Sequence, residues 1–177
     1  MVTADVAEQF LAAPLLGDFD LDVRRALLKR LEESRAITGT VLLEQGEPND
    51  HLSFLIEGSA VIERSFSGGR KEILAQLTAP AIFGTTSFFR PTPPTVTVRA
   101  LTDVCLLTMG HPAHDQLRRD DPRTAEALAV AVVRILAERF DLLDKRVSDS
   151  LAQHAGDPPK ITEWSGFRAR LFEEPNV

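Results

Sequence analysis

The sequence predicts an α+β fold, an antiparallel β sandwich or barrel with helices before and after it. Three observations lead there. Short β-type runs punctuated by glycine and proline fill the middle of the chain. Helical three-to-four spacing occupies the stretch before Ser34. A longer helical pattern returns after Asp121-Pro122.

The first element is a helix over Val2 to Ala13. Val6 and Phe10 stand four apart, with Leu11 beside them, which marks one helical face. Pro14 and Gly17 end it. The next helix is expected over Asp22 to Glu33. Asp22 suits a cap or first turn, and Leu21, Leu27, Leu28 and Leu31 supply the apolar spacing.

Seven β-type runs follow: Arg35–Thr38, Val41–Glu44, Leu52–Ile56, Ala60–Ser65, Glu72–Leu77, Thr95–Ala100 and Val104–Met109. Turn signals separate them at Gly39, Gly46 with Pro48-Asn49-Asp50, Gly58, Gly68-Gly69 and Ala79-Pro80. Leu52, Phe54 and Ile56 alternate onto one face, and Thr95, Thr97 and Arg99 oppose Val96 and Val98.

The last regular element is a long helix from Asp121-Pro122, a good cap and first-turn pair, to about Leu151. Val133, Leu136, Phe140, Leu143 and Val147 form a heptad seam two repeats long. Leu128, Val132, Ile135 and Leu142 lie beside it, placed to face the β core. The expectation is a homodimer through the seam. The alternative is that both stripes form one wide intramolecular face.

Composition narrows the class. The chain has 177 residues, a net charge of −6, 44% hydrophobic residues and one cysteine. That length suits one domain with an appendage and buries a core without a metal or disulfide staple. The lone Cys105 excludes an internal disulfide framework and fits a small buried hydrophobe in an apolar strand. No apolar run reaches the length of a membrane span. The first ten residues hold two acids and no basic residue, unlike a signal peptide, so a cytoplasmic protein is expected. The acidic balance argues against nonspecific nucleic-acid binding, which depends on neutralising phosphates.

The order of elements, with the spacing of the glycines, resembles the cyclic nucleotide-binding domain of the catabolite activator protein (Crp/Fnr-like) family. Gly39-Thr40-Val41-Leu42-Leu43-Glu44-Gln45-Gly46-Glu47-Pro48-Asn49-Asp50 is similar to that family's strand and turn pattern. Leu52-Ser53-Phe54-Leu55-Ile56-Glu57-Gly58 resembles its next strand and glycine turn. Phe83-Gly84 through Thr97-Val98-Arg99-Ala100 aligns with its phosphate-binding cassette. The resemblance covers roughly residues 15 to 147. It implies a jelly-roll-like β-roll, or double-stranded β-helix, followed by a long helix that pairs protomers. The expected organisation is an N-terminal helix over 1–14, the domain over 15–150, and an aromatic tail over 151–177.

The resemblance also implies two side-chain contacts to a cyclic nucleotide. A glutamate after the Phe-Gly pair accepts the ribose hydroxyl, and a later arginine pairs with the cyclic phosphate. Ungapped alignment puts Thr85 at the first position and Pro94 at the second. Thr85 has no carboxylate, and Pro94 has neither charge nor N–H. A degenerate cassette is therefore expected, with Gly84, the backbone amides of Thr85, Thr86 and Ser87, and Thr97 left to cradle an anion weakly. Arg90 and Arg99 are the candidates for a replacement phosphate partner. The competing reading makes Arg90 a solvated loop tip and Arg99 a structural surface residue.

Other constellations carry less. His111 and His114 lie three apart beside Asp115 but lack further ligands, so no metal is expected. Ser67-Gly68-Gly69-Arg70 reads as a hairpin turn, and Arg118, Arg119 and Arg123 among Asp115, Asp120 and Asp121 read as a mixed-charge face. No nucleophile elbow, P-loop or paired-carboxylate motif appears, so neither an enzyme nor a cofactor is expected. Only 27 residues follow Ser150, too few for a helix-turn-helix domain, so no DNA contact is expected. Within them Trp164, Phe167, Leu171 and Phe172 suggest a short amphipathic segment that docks on a partner or folds back on the β core.

The functional expectation is a regulatory or adaptor domain that works through protein contacts and does not bind cyclic AMP or cyclic GMP tightly. The alternative is a sensor of another nucleotide or small anion through a rebuilt cassette.

Overall fold

The computed structural model describes residues 2–17 and 19–153. Helix α1 spans Ala4–Ala12 and buries Val6 and Phe10, as the spacing requires. A single 3₁₀ turn over Pro14–Leu16 then reaches Gly17. Helix α2 runs over Leu21–Leu28, five residues shorter than expected at its C-terminal end. Its buried positions are Val23 and Leu27, with Leu31 buried just beyond it, while Leu21 is exposed.

The reason is strand pairing. Glu32 and Glu33, good helix formers, instead enter strand β1, Glu32–Ala36, which pairs antiparallel with strand β8, Val104–Gly110. A tertiary ladder here overrides local propensity. The backbone N–H of Thr3 donates to a Glu33 carboxylate oxygen at 2.7 Å, which fastens the start of α1 to this edge.

Eight strands form two four-stranded sheets. They are β1, β2 (Val41–Leu43), β3 (His51–Glu57), β4 (Ser59–Ser65), β5 (Lys71–Thr78), β6 (Ala81–Phe83), β7 (Thr97–Ala100) and β8. One sheet has the order β1-β8-β3-β6 and the other β2-β7-β4-β5, with every pair antiparallel. This is the antiparallel β-roll that was expected, with one strand more than the seven runs, since β6 carries too few residues to show a period.

The core lies between the sheets. Leu55, Phe83, Val104 and Leu106 from one meet Leu43, Ala60, Val98 and Ala100 from the other. Strand β3 is buried continuously from Leu52 to Ile56 rather than on alternate positions. Leu55 faces the other sheet, and Phe54 meets Phe10 of α1 edge-on at 5.5 Å, so both faces of the strand are covered. Cys105 is fully buried in β8, and burial pushes its thiol up to about 11, far from the thiolate a nucleophile needs.

Three further helices are α3 (Thr85–Phe89), α4 (His111–Asp120) and α5 (Pro122–Gln153). Asp121 caps α5: its carboxylate accepts from the Thr124 N–H at 3.1 Å and the Thr124 hydroxyl at 2.7 Å. The chain divides within α5 into two units, Met1–Val132 and Val133–Val177, and the first holds both sheets. In the first unit Leu128 and Val132 are buried. In the second Val133, Leu136, Phe140 and Leu143 are exposed and Val147 is half-buried. Leu142 was placed against the β core by its spacing, but it too is exposed, at 53%. The aromatic positions Trp164, Phe167, Leu171 and Phe172 lie outside the described residues. No helix among those described is long and apolar enough to cross a membrane.

Candidate functional site

The candidate site is built where β6 turns into α3. Gly84 makes that turn with φ +77°, a left-handed conformation open to glycine. A Cβ there would sit 2.7 Å from the His51 carbonyl oxygen and 3.2 Å from the Asn49 amide nitrogen. The absence of a side chain is thus what lets α3 start against the mouth of β3.

Asn49 holds the helix there. Its amide nitrogen donates to the His51 carbonyl at 2.8 Å and to the Ser87 hydroxyl at 2.9 Å, while Ser87 donates onward to the Gly84 carbonyl at 3.3 Å. Within α3, Thr85, Ser87 and Phe88 are buried, and Thr86 and Phe89 are exposed.

The loop from Arg90 to Val96 closes the site. The Pro94 ring is buried, and its carbonyl accepts from the Gly46 N–H at 2.9 Å. The Thr97 hydroxyl accepts from the Gln45 N–H at 3.1 Å. Gln45 itself is a tether. Its side-chain nitrogen donates to the Ser65 carbonyl at 3.0 Å and its side-chain oxygen accepts from the Ser65 N–H at 2.8 Å.

The predicted residues therefore part company. Gly84, Thr85 and Thr86 gather at the start of α3. Thr97 is engaged by the loop before β3. Arg99 is drawn into the sheet: its Nε and one terminal nitrogen donate to Glu63 at 3.1 and 2.9 Å, and the other donates to the Gly39 carbonyl at 3.0 Å. Arg90 follows α3 with an exposed side chain, and its guanidinium makes no ion pair among the described residues. Gln45 and Asn49 escaped the sequence reading as site residues. Both stand inside the turn motif, but their partners Ser65 and Ser87 are 20 and 38 positions away.

Residues 35–121 match the family model for the cyclic nucleotide-binding domain. A curated relative from Mycobacterium tuberculosis, a CRP-like cAMP-activated global transcriptional regulator, is 30% identical over 124 residues, which are 70% of this chain and 54% of that protein. The crystal structure of the N-terminal domain of a transcriptional regulator from Streptomyces coelicolor is 31% identical. The match covers 76% of this chain and 94% of that one, with a TM-score of 0.65. The chain belongs to the Crp-type cyclic nucleotide-binding domain family. A cyclic nucleotide-binding domain from Methylobacillus flagellatus, 20% identical, shares the fold with a TM-score of 0.75 over 82% of this chain and 84% of its own. The chain spans about half the length of the curated relatives it matches.

In this Crp-type domain Gly84, Asn49, Gln45 and Gly46 shape the stretch from Gly84 to Ala100 through the close approach and the hydrogen bonds given above. Its charge is a separate matter. Arg99 and Glu63 neutralise one another, and α3 carries no ionisable side chain. Among the described residues no group of three or more His, Cys, Asp or Glu side chains could hold a metal ion.

Proposed function

We propose that this Crp-type domain does regulatory work through protein contacts, and that its cassette does not hold cyclic AMP or cyclic GMP at ordinary cellular concentrations. One observation carries the reading. The two positions aligned with the nucleotide's charged contacts are a buried threonine, Thr85, and a buried proline, Pro94, whose carbonyl is already bonded to Gly46.

A hydrogen bond to a charged group contributes about 1.5–3 kcal/mol, so losing two costs about 3–6 kcal/mol. That is roughly two to four orders of magnitude in affinity, enough to turn a micromolar ligand into a millimolar one. Arg99 is a poor substitute, because recruiting it would strip Glu63 of its partner in a half-buried pair. The regulatory character follows the family. An adaptor role follows from a scaffold that keeps its shape without its ligand contacts.

The partner surface we assign first is the seam of α5. Val133, Leu136, Phe140 and Leu143 repeat at heptad spacing and are 66%, 36%, 50% and 58% exposed. A second copy of the chain would cover them by parallel pairing of the two helices. Light scattering on the full chain tests this, with a dimer expected and a monomer at all concentrations against it.

Arg90 favours a second reading. It follows the cassette helix with an exposed guanidinium, where it would meet another small anion together with Thr85 and Thr86. A thermal-shift screen with cyclic mononucleotides, cyclic dinucleotides and simple anions separates the two. A ligand bound with dissociation constant Kd raises stability by RT ln(1 + [L]/Kd), so a shift with any of them supports the sensor and a flat screen at millimolar ligand supports the adaptor.

A further inference from the structure

The cassette helix is gripped from its far side by imidazoles. His111 stacks on the Phe88 ring with centroids 4.5 Å apart and planes within 12°. Its Nε2 lies 2.9 Å from the Phe88 carbonyl oxygen, so this nitrogen carries the proton and donates. One turn further along α4, His114 stands edge-on to both Phe88 and Phe89, at 5.3 and 5.5 Å. Phe88 and Phe89 meet each other at 5.2 Å. Four rings thus join α4 to a helix of only five residues.

An open cavity of about 670 Å³ adjoins the cluster, lined by Phe89, Pro91, His114 and Glu126 among others. The charged and titratable groups around His114 come from two elements. His111, Asp115 and Arg118 are on α4, and Glu126 is on α5. Helix α3 contributes none.

We infer that His114 is an acid-sensitive latch on the cassette helix: gaining a proton, it leaves the edges of Phe88 and Phe89 for the adjoining cavity, and α3 loosens. His114 is half-buried, and a neutral imidazole loses less by packing against two phenyl rings than an imidazolium, whose full charge must be hydrated or paired. The cavity supplies the water and the room, with Asp115 and Glu126 to receive the charge. Burial holds the His114 pKa below its ordinary value, Arg118 and then His111 add to this, and Asp115 acts the other way. The contribution of the latch is therefore complete above the ordinary imidazole value of about 6.5 and is lost as pH falls through the lowered one. The inference stands apart from nucleotide binding, since it concerns the unliganded chain.

Nuclear magnetic resonance on the full chain, titrated from about pH 7.5 to pH 5, tests it. The expected result has the His114 ring titrating below about 6.5. The Phe88 and Arg90 amides, which donate to Gly84 and Thr86 at 3.0 and 2.9 Å, then lose protection with the same midpoint. That loss remains once the intrinsic effect of pH on exchange is corrected for. In His114→Phe, or in His114→Gln if the first variant folds poorly, protection stays constant across the range. The inference is overturned if wild-type protection is unchanged while His114 titrates, or if the loss persists in the folded variant.

Discussion

Replacing Gly84 by alanine probes the close approach on which the site is built. Two costs add there. The backbone is left-handed at φ +77°, which costs an L-residue about 1–2 kcal/mol. The new Cβ would also press 2.7 Å from the His51 carbonyl, which is backbone and cannot swing aside. Crowding of this kind adds about 1–3 kcal/mol. Gly46 is the natural control, because its φ of +85° carries the first cost while no atom lies within 4 Å of its Cβ position. The entropy lost by the unfolded chain is the same for both substitutions and cancels between them. Gly46→Ala is expected to lower the melting temperature by roughly 2–8 °C, and Gly84→Ala by roughly a further 2–12 °C, at about 2–4 °C per kcal/mol for a chain of this size. Thermal unfolding followed by circular dichroism measures both. Equal losses, or a milder effect at Gly84, would refute the packing of α3 against the start of β3.

Two further outcomes follow from the helix that succeeds the roll. Hydrogen bonds from the Thr124 hydroxyl and N–H hold the Asp121 carboxyl below its ordinary range, so its stabilising effect is present above the ordinary carboxylate value and disappears as pH falls through the lowered one. Asp121→Ala should therefore melt earlier than the wild type at neutral pH, with the gap closing in acid; a constant gap from neutral to acid pH would count against the cap. Glutamate at both Leu136 and Phe140 should convert a dimer to a monomer in light scattering while the melting of the β-roll persists, since both side chains are exposed in the single chain.

Much of the fold was legible because its turns allow little choice of residue. Gly39, Gly46, Gly58, Gly68 and Gly69 all have positive φ, and each stands where a β-type run ends. Asp121-Pro122 marked the start of α5 by the chemistry of the cap itself. What was not legible depends on partners distant in sequence. Glu32 and Glu33 prefer a helix until β8 pairs with them. The continuous burial of β3 requires α1 on one side and the second sheet on the other. Leu142 fits the spacing of a buried stripe, yet it is exposed. The same holds at the site. Gly84 could be read from its type, while the use of Arg99 by Glu63 arises from β4 and β7 lying side by side, 36 residues apart in the chain.

The central claim is that the cassette has kept its shape and lost its charge. Isothermal titration calorimetry of the full chain with cyclic AMP and cyclic GMP tests it most directly. Absent heat at micromolar ligand, with dissociation constants no better than about millimolar, is the predicted result. A micromolar dissociation constant for either nucleotide would contradict it.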